Sequence, residues 1–396
     1  MGLTSTSTGA GAADTALVLR RERPDDRIVA LAGNPNVGKS TVFNALTGLR
    51  QHTGNWPGKT VTSAQGRCER GGRGYVLVDL PGTYSLMAHS AEEEVARDFL
   101  CFGGADGAVV VCDATCLERN LNLVLQTLEL QPRTVVCVNL LDEAERKGVR
   151  VELEALSRRL GVPVVGAAAG RGEGLEALMA AVEGVISAPE PPTPVPVRYP
   201  PPVEFAVASL RPLLEPRLRG RLPARWTALR LLEGDGAFLD RLSAALEWDP
   251  RADAALWGAV EEARAVLERQ GLGGGAWCER VVSALVETTE AIGAASVTQL
   301  RSAAGRREQR LDRLLTSRAT GIPLMLLLLA GVLWLTITGA NYPSQLLSDG
   351  LFWVQDRLSD LFAYLNAPAW LHGALVLGVY RVLAWVVSVM LPPMAI

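Results

Sequence analysis

Residues 33–41 read Gly33-Asn34-Pro35-Asn36-Val37-Gly38-Lys39-Ser40-Thr41 and follow Arg27 to Ala32, a run predicted to be the first strand of an α/β sheet. This spacing is typical of a phosphate-binding loop. The glycines let successive backbone N–H groups point at a polyphosphate, Lys39 reaches the β- and γ-phosphates, and the Ser40 hydroxyl ligates Mg²⁺. The loop predicts a nucleotide without saying which one.

A second stretch, Asn139-Leu140-Leu141-Asp142, predicts the base and follows the β-branched strand Thr134 to Val138. The Asp142 carboxylate can accept hydrogen bonds from guanine N1–H and the 2-amino group, and adenine does not present this pair of donors. GTP is therefore predicted over ATP. A weaker element, Val164 to Ala169, brings the Ala169 backbone N–H toward guanine O6, although Ala168 stands where a serine is usual.

A third stretch lies between these two and reads Tyr75-Val76-Leu77-Val78-Asp79-Leu80-Pro81-Gly82. It predicts a buried strand that brings an acid and a glycine to the γ-phosphate. Asp79 would hold Mg²⁺ through a water, and the Gly82 N–H would sense whether the γ-phosphate is present. Thr60, at the end of Gly54 to Thr60, is predicted to be the second protein ligand of Mg²⁺. An exposed loop threonine is the alternative.

The predicted site falls into three overlapping groups. The predicted catalytic residues are Lys39, Thr60 and Gly82. The predicted nucleotide- and cofactor-binding residues are Gly33, Asn34, Asn36, Val37, Gly38, Lys39, Ser40, Thr41, Gly58, Lys59, Thr60, Asp79, Leu80, Pro81, Gly82, Asn139, Leu140, Asp142, Ala168 and Ala169. The predicted Mg²⁺ ligands are Ser40, Thr60 and Asp79.

Several longer strings resemble the prokaryotic ferrous-iron transporter B family. They are Asn34 to Lys39, Gly54-Asn55-Trp56-Pro57-Gly58, Asp79 to Leu86, Leu117-Glu118-Arg119-Asn120-Leu121, Arg225 to Gly234, Leu311 to Leu315 and Gly321-Ile322-Pro323. The resemblance covers nearly the whole chain after the first 25 residues, but only the beginning of that family's membrane domain. It implies Fe²⁺ as the transported ion, and no iron ligand is identified in the sequence.

The resemblance also implies a potassium ion at the phosphates, positioned by Asn36 and able to stand in for an arginine finger. A turn-stabilising asparagine is the alternative reading of Asn36. Thr83 follows Gly82 and no glutamine is near, which predicts slow intrinsic hydrolysis. Lys59, Leu140 and Ala168 depart from the usual pattern, and the last two are expected to weaken nucleotide retention.

Apolar segments crowd toward the C-terminal end, although the whole chain is 48% apolar and 20% charged. Residues 319–340 are predicted to be a transmembrane helix, since about 20 apolar residues cross a bilayer. Residues 344–366 are predicted to be an amphipathic interfacial helix. Residues 370–396 are predicted to be a second membrane segment, in which Arg381 is either a snorkelling residue or lines a cavity. An arginine-rich approach from Arg301 to Arg318 predicts that the N-terminal half lies in the cytoplasm.

The remaining boundaries follow from composition. Residues 1–25 are predicted to be a disordered leader without a cleavable signal peptide, and residues 26–188 a doubly wound α/β P-loop G domain. Residues 189–202 contain eight prolines and predict a semi-rigid extended linker. Residues 203–318 carry no convincing strand and predict an all-α domain, which the resemblance assigns to nucleotide release and membrane coupling. The six cysteines show no paired spacing, so reduced thiols in cytosol are expected.

The predicted function is GTP binding and hydrolysis within a ferrous-iron uptake transporter of the cytoplasmic membrane. The expected partners are the remaining membrane domain or a separate multi-span chain, and candidates include small accessory iron-transport proteins and a second copy of this chain. A membrane-tethered regulatory GTPase that gates a partner protein is the main alternative. A ribosome-assembly GTPase is disfavoured, because no basic RNA module follows the G domain and two apolar segments do. The net charge of −3 also implies no polyanionic partner. No nucleic-acid partner is expected.

Overall fold

The computed structural model describes residues 21–48, 51–55, 62–87, 90–299, 315–365 and 367–395. The chain forms two compact units, Met1–Ser302 and Ala303–Ile396. Within the described residues, the first unit contains a seven-stranded sheet in the order β2-β3-β4-β1-β5-β6-β8. The strands are β1 Arg27–Gly33, β2 Gln51–Asn55, β3 Thr62–Arg70, β4 Arg73–Asp79, β5 Gly107–Asp113, β6 Thr134–Asn139, β7 Val149–Val151, β8 Val164–Gly166 and β9 Val297–Gln299.

The sheet is parallel from β4 through β1, β5 and β6 to β8. The β2-β3 and β3-β4 pairs are antiparallel. Parallel strands end at a common edge, and ligands of open α/β sheets bind outside that edge. The phosphate-binding loop, the Asp79 stretch, the Asn139 stretch and the Ala169 stretch each follow a strand of this parallel set. The predicted doubly wound α/β fold is confirmed.

Helices cover both faces of the sheet. They are α1 Lys39–Thr47, α2 Ala91–Phe102, α3 Leu117–Leu130, α4 Leu141–Arg146, α5 Leu153–Leu160 and α6 Leu175–Ser187. Alternate residues of β1 point to opposite faces, as the two-residue period of a strand requires. Val29 and Leu31 belong to the core under α1 and α6, which includes Phe43 and Leu178. Ile28 belongs to the other core, which continues into the helices that follow the G domain.

Five helices form most of the remainder of the first unit's described part. They are α7 Pro201–Leu218, α8 Ala224–Glu233, α9 Gly236–Leu246, α10 Ala254–Arg269 and α11 Ala276–Ser296. The predicted all-α domain is present with one exception, since β9 pairs antiparallel with β7. β9 is three residues long, and its Val297 pairs with Val151, which lies 146 residues earlier in the chain. So short a strand with so distant a partner carries no local signal in the sequence.

The proline-rich segment is not a free spacer along its whole length. Val197 and Tyr199 are buried in the same core as α3 and α8. The Tyr199 hydroxyl donates to Glu129 Oε2 at 2.7 Å, and Arg225 Nη2 donates to the Val197 carbonyl at 2.7 Å. The segment therefore packs along the junction between the G domain and the helical domain.

The second unit is a helical hairpin in its described part. α12 spans Arg318–Tyr364 without a break, so the predicted span and the predicted amphipathic segment belong to one continuous helix. Helical structure resumes with α13 Ala369–His372, passes through π geometry over Gly373–Tyr380, and ends with α14 Arg381–Ala395. By length and composition, Ala369–Met390 could cross a membrane, and Ala319–Leu335 is a shorter apolar stretch.

Candidate nucleotide-binding site

The phosphate-binding loop connects the end of β1 to the start of α1. Asn36 and Gly38 have φ of 65° and 79°, which is the left-handed region. A Cβ atom at Gly38 would collide with the Asn139 side-chain amide. Glycine is required there both for the backbone conformation and for the close approach of β6. The turn leaves the first backbone N–H groups of α1 without helical partners, as a phosphate-binding turn requires.

A cleft of about 390 Å³ lies over this loop. It is lined by Asn34, Pro35, Asn36, Gly38, Lys39, Ser40, Thr41 and Gly82. Seven of these eight residues are predicted binding residues, and Pro35 is the addition. Val37 is buried beneath the loop, and Asn34 Nδ2 donates to the Arg119 carbonyl at 3.4 Å. The cleft thus combines backbone N–H groups, hydroxyls and one ammonium group, which is the chemistry of a polyphosphate site.

Lys39 is the charged group of the cleft and is only 9% exposed. Its Nζ contacts Asp79 Oδ1 and the Leu80 carbonyl. Burial raises the pKa of Asp79, and the positive charge of Lys39 opposes that rise. Asp79 ends β4 next to β1, so the structure brings together the predicted phosphate-binding lysine and the predicted Mg²⁺ ligand.

Asn139 is the element that joins the two ends of the site. It is 1% exposed, Nδ2 donates to the Val37 carbonyl at 3.1 Å, and Oδ1 accepts from the Ala169 N–H at 3.0 Å. One side chain therefore links the phosphate-binding loop to the 168–173 loop. Replacing it would leave a buried donor and a buried acceptor unpaired, which costs about 1–3 kcal/mol each.

Asp142 lies in the first turn of α4 with its side chain 21% exposed, so its carboxylate is open to a ligand. Oδ2 is 3.3 Å from Arg171 Nε and 3.9 Å from Arg146 Nη2. Leu140 precedes the helix with φ of 61°. Arg171 was not among the predicted site residues, although a basic residue two positions after Ala169 was a usable signal.

The 168–173 loop is held by hydrogen bonds of its own backbone. The Ala168 N–H donates to the Glu173 carbonyl at 3.1 Å, and a turn over Ala169–Arg171 follows. Because the Ala169 N–H already donates to Asn139, its predicted bond to guanine O6 requires an exchange of partner. The role of this amide stays a prediction.

Gly82 lies directly against the phosphate-binding loop, since a Cβ atom there would be 3.2 Å from Pro35 Cα. The Thr83 N–H donates to the Gly33 carbonyl at 3.2 Å, and Thr83 Oγ1 donates to the Ser85 carbonyl at 2.7 Å. Thr83 is buried and its hydroxyl is used within this turn. Pro81 is half-buried between Leu80 and Gly82.

Gln126 on α3 was missed by the sequence analysis. Its Oε1 accepts from the Leu86 N–H at 2.6 Å and from Ser85 Oγ at 3.0 Å. Its position inside a long apolar helix gave no sign of this contact in the sequence.

Three predicted residues, Gly58, Lys59 and Thr60, lie outside the described residues, and so does the Thr60 magnesium assignment. Within the described part of the chain, no group of three or more His, Cys, Asp or Glu side chains is arranged to hold a metal ion. All six cysteines are free thiols, and burial raises the pKa of Cys137 to about 12.

The site has three parts. They are a phosphate-binding loop before α1, Asp79 at the end of the neighbouring strand β4, and the pair Asn139 and Asp142 at the end of β6. Together they define a P-loop protein with a small G domain. Residues 27–182 match the family described as "Ferrous iron transport protein B", and residues 199–288 match "FeoB cytosolic helical domain". The chain belongs to the ferrous iron transport protein B family.

Relatives with curated names or solved structures agree. The chain is 41% identical over 211 residues to the Fe(2+) transporter FeoB of Shigella flexneri, covering 52% of this chain and 27% of that protein. It is 31% identical to the cytosolic domain of the T. maritima FeoB iron transporter in apo form, with a TM-score of 0.54, covering 69% of this chain and 99% of that one. The GDP form II of the same domain gives 31% identity, a TM-score of 0.55 and the same coverage. The chain spans about a quarter of the length of the curated relative.

Proposed function

We propose that this chain binds GTP with Mg²⁺ and hydrolyses it slowly, as the GTPase part of a ferrous-iron uptake transporter of the cytoplasmic membrane. The observation that carries the proposal is the position of Asn139 and Asp142 at the end of β6. Asn139 bonds the phosphate-binding loop directly, and Asp142 stands three residues further on with an accessible carboxylate. This arrangement supports a single site that combines a base reader with a phosphate cleft. A solved relative is described in a GDP form, which supports a guanine nucleotide here.

The residues of the cleft fit a magnesium ion. Mg²⁺ prefers oxygen ligands, and the Ser40 hydroxyl and the Asp79 carboxylate are oxygens on adjoining elements of the site. Ser40, Asp79 and Thr60 would hold the ion, with Asp79 acting through a water. Bound Mg²⁺ neutralises charge that develops on the phosphates. Lys39, which contacts Asp79 in this structure, would direct its ammonium group to the β- and γ-phosphates of a bound nucleotide.

Slow intrinsic turnover is supported by the position of Thr83. A fast GTPase orients the attacking water with a polar side chain near the γ-phosphate. The Thr83 hydroxyl donates to the Ser85 carbonyl instead, and the side chain is buried. Gly82 supplies only a backbone N–H to this region. The chain therefore binds and senses the γ-phosphate better than it activates water.

Potassium stimulation belongs to the same proposal. Asn36 is exposed and lines the cleft, and its backbone is left-handed. Its backbone and side-chain carbonyl oxygens are ligand types that a monovalent cation accepts. A cation held there would supply positive charge to the transferring phosphoryl group, as an arginine finger does. Arginine fingers are worth about a thousandfold or more, so a partial replacement should exceed about tenfold.

Hydrolysis rates in potassium chloride and in sodium chloride at equal ionic strength test this point. We expect at least about a tenfold advantage in potassium, and we expect Asn36→Ala to remove most of it. Glu143→Gln is the control, because Glu143 lies outside the cleft and pairs with the exposed Lys147. Equal rates in the two salts would end the potassium proposal and leave nucleotide binding untouched.

Iron transport is proposed on family membership. The named relatives are Fe(2+) transporters, and the match favours that role over a regulatory GTPase that gates another protein. Residues 319–335 and 369–390 would lie in the cytoplasmic membrane, and the G and helical domains in the cytoplasm. The remaining membrane helices, on this polypeptide or another, would complete the Fe²⁺ path. Accessory iron-transport proteins and a second copy of the chain remain proposed partners.

The decisive experiment for the guanine site is Asp142→Asn. An amide cannot accept from both guanine donors, so GTP affinity should fall about a hundredfold or more, while xanthosine triphosphate should gain. Glu143→Gln is the matched control on the same helix, since Glu143 pairs with the exposed Lys147. Titration calorimetry with GTP, ATP and xanthosine triphosphate measures the affinities of the wild type and of both variants. If Asp142→Asn kept its preference for GTP, the assignment of Asp142 to the guanine base would be wrong.

A further inference from the structure

The residues that follow Gly82 are held along their whole length by polar contacts. The Thr83 N–H donates to the Gly33 carbonyl at 3.2 Å, which fixes the beginning of the segment on the phosphate-binding loop. Its far end is fixed by α3, where Gln126 Oε1 accepts from the Leu86 N–H at 2.6 Å and from Ser85 Oγ at 3.0 Å. We call residues 82–87 the sensor segment.

Asn122 lies one helical turn before Gln126 and adds to the same contact. Asn122 Nδ2 donates to the Tyr84 carbonyl at 3.2 Å, and Gln126 Nε2 donates to Asn122 Oδ1 at 3.3 Å. Two amides on one face of α3 therefore hold three consecutive residues of the sensor segment. Gln126 is 6% exposed, so its bonds do not compete with solvent.

The next turn of α3 carries Glu129, which faces the helical domain. Its Oε2 accepts from the Tyr199 hydroxyl at 2.7 Å, and its side chain is 10% exposed. Arg225 Nη2 donates to Glu204 Oε1 at 2.9 Å, and its guanidinium lies 5.0 Å from the Tyr199 ring centroid. A partly buried polar network thus joins α3 to the proline-rich segment, α7 and α8.

Both contacts open onto one small cavity of about 10 Å³. It is lined by Leu86, Met87, Gln126, Glu129, Tyr199, Trp226, Leu229, Arg230, Val281 and Leu285. The sensor segment, α3 and the helical domain therefore share one packed wall. A shift of the sensor segment cannot leave this wall unchanged, because packed interiors have few voids to absorb it.

We infer that Gln126 is a positioning residue for GTP hydrolysis, one that holds the Gly82 N–H in the place where it meets the γ-phosphate, and that Glu129 and Tyr199 couple this positioning to the helical domain. The inference rests on the proposed GTPase function. Gln126 does not line the nucleotide cleft and acts through Ser85 and Leu86. GDP lacks the γ-phosphate, so loss of Gln126 should affect GTP far more than GDP.

The test compares Gln126→Leu, Gln126→Glu and Gln131→Leu in the full chain. The leucine removes the acceptor, whereas the glutamate keeps a carbonyl-type oxygen for Leu86 and Ser85. Gln131 is the matched control, because it lies one residue beyond α3 and donates to the Ala105 carbonyl at 3.2 Å, away from the sensor segment. The measurements are kcat for GTP hydrolysis and dissociation constants for GDP and a non-hydrolysable GTP analogue.

We expect Gln126→Leu to lower kcat and GTP-analogue affinity about five- to tenfold while GDP affinity changes less than about twofold. Gln126→Glu should recover most of the loss, and Gln131→Leu should leave the GTP-to-GDP affinity ratio unchanged. Loss of a residue with only a structural role would change the affinities for GDP and for the GTP analogue equally. An unchanged ratio in Gln126→Leu would overturn the inference, provided that the wild-type chain binds GDP. If the wild-type chain bound neither nucleotide, the proposed function itself would fail.

A second variant keeps the test decisive if Gln126→Leu does not fold. Tyr199→Phe removes only the hydroxyl that donates to Glu129. We expect the same direction of change, about two- to threefold in the affinity ratio. Combined with Gln126→Glu, its effect should be non-additive, because the two residues line one cavity. If Tyr199→Phe had the same ratio of GTP-analogue to GDP affinity as the wild type, the proposed coupling to the helical domain would be wrong.

Discussion

Asp26 illustrates how much one buried carboxylate can organise. Its side chain is fully buried at the entrance to β1, where Oδ2 accepts from Arg67 Nε at 3.0 Å and from the Glu22 and Arg23 N–H groups at 3.1 and 3.0 Å. Burial on its own would raise the pKa of Asp26, but the hydrogen bonds from Arg67 and the backbone outweigh it, so the pKa is lowered from 3.8. Gly74 is required beside this carboxylate, since a Cβ atom there would collide with it.

The lowered pKa predicts a pH-dependent loss of stability. A group whose folded pKa lies below its unfolded value contributes stability that is present above the unfolded pKa and lost as the pH falls through the folded pKa. Asp26→Asn should therefore cost about 2 kcal/mol at neutral pH, because it removes the charged hydrogen bonds to Asp26 and leaves Arg67 with Glu22 and Glu69 only. The difference from the wild type should shrink as the pH falls below 3.8.

Urea denaturation followed by tryptophan fluorescence at several pH values measures this difference. Asp25→Asn is the control, because Asp25 is the exposed neighbour of Asp26. Parallel stability curves for the wild type and Asp26→Asn across the acid range would contradict the argument.

At the same scale, the sequence predicted which residue types form the site but not all of their contacts. Lys39, Asp79 and Asp142 lie where their motifs indicated. Asn139 was predicted as part of the base reader, yet its bonds join Val37 and Ala169, which are 102 and 30 residues away. Those partners are backbone atoms, and only the packing of three loops brings them together. Backbone donors and acceptors are the same at every such residue, so these bonds leave no pattern in a sequence.

The contact between α2 and α9 shows how an element end can serve two purposes. Asp235 caps α9, accepting from the Ala237 and Phe238 N–H groups at 3.0 and 3.3 Å. Its other oxygen accepts from Arg97 Nη1 of α2 at 2.8 Å. Arg97 is buried and its guanidinium lies 5.3 Å from the Phe238 ring centroid. Since α2 begins just after the sensor segment, this cap ties the helical domain to the G domain.

Asp235→Ala should destabilise the first unit by about 3 kcal/mol, because it removes an N-cap and one partner of a buried arginine. Asp235→Ser keeps a capping oxygen and should recover about 1 kcal/mol of that loss. Asp253→Ala is the matched control: Asp253 caps α10 but pairs with the exposed Arg217, so its loss should cost markedly less than the loss of Asp235.

Chemical denaturation measures these three costs, and hydrogen exchange locates them. Faster exchange should appear in both α2 and α9 for Asp235→Ala, but only in α10 for Asp253→Ala. Equal costs for Asp235→Ala and Asp253→Ala would show that the Arg97 contact contributes nothing.

Element prediction succeeded where a local period was long enough to be recognised. α3, which spans Leu117–Leu130, carries buried apolar residues at helical spacing over its whole length. β9 and the buried part of the proline-rich segment were not predicted, because each is fixed by a distant partner. β9 is three residues long and depends on β7, and Val197 and Tyr199 are buried only because α3 and α8 cover them.

The whole chain joins a unit with its own core to a unit that leaves its apolar side chains exposed. The first unit buries its large hydrophobic residues against the sheet and the helices. In the second, Leu327 is 70%, Trp334 67% and Leu383 58% exposed. Exposed apolar surface on this scale marks a surface that is covered by lipid or by other protein.

This contrast predicts different behaviour for the two units. Residues 21–302 expressed alone should remain soluble and bind GDP within about threefold of the full chain, because every described predicted site residue lies in that unit.

The full chain should sediment with membranes and resist carbonate extraction. A chain that ends at residue 366 keeps the 319–335 stretch but lacks the longer one at 369–390, so it should be extracted more readily. Sedimentation and fluorescent-GDP titration measure these outcomes. A full chain that stayed in the soluble fraction, or a 21–302 fragment that aggregated, would contradict the division of the molecule into a nucleotide-binding unit and a membrane unit.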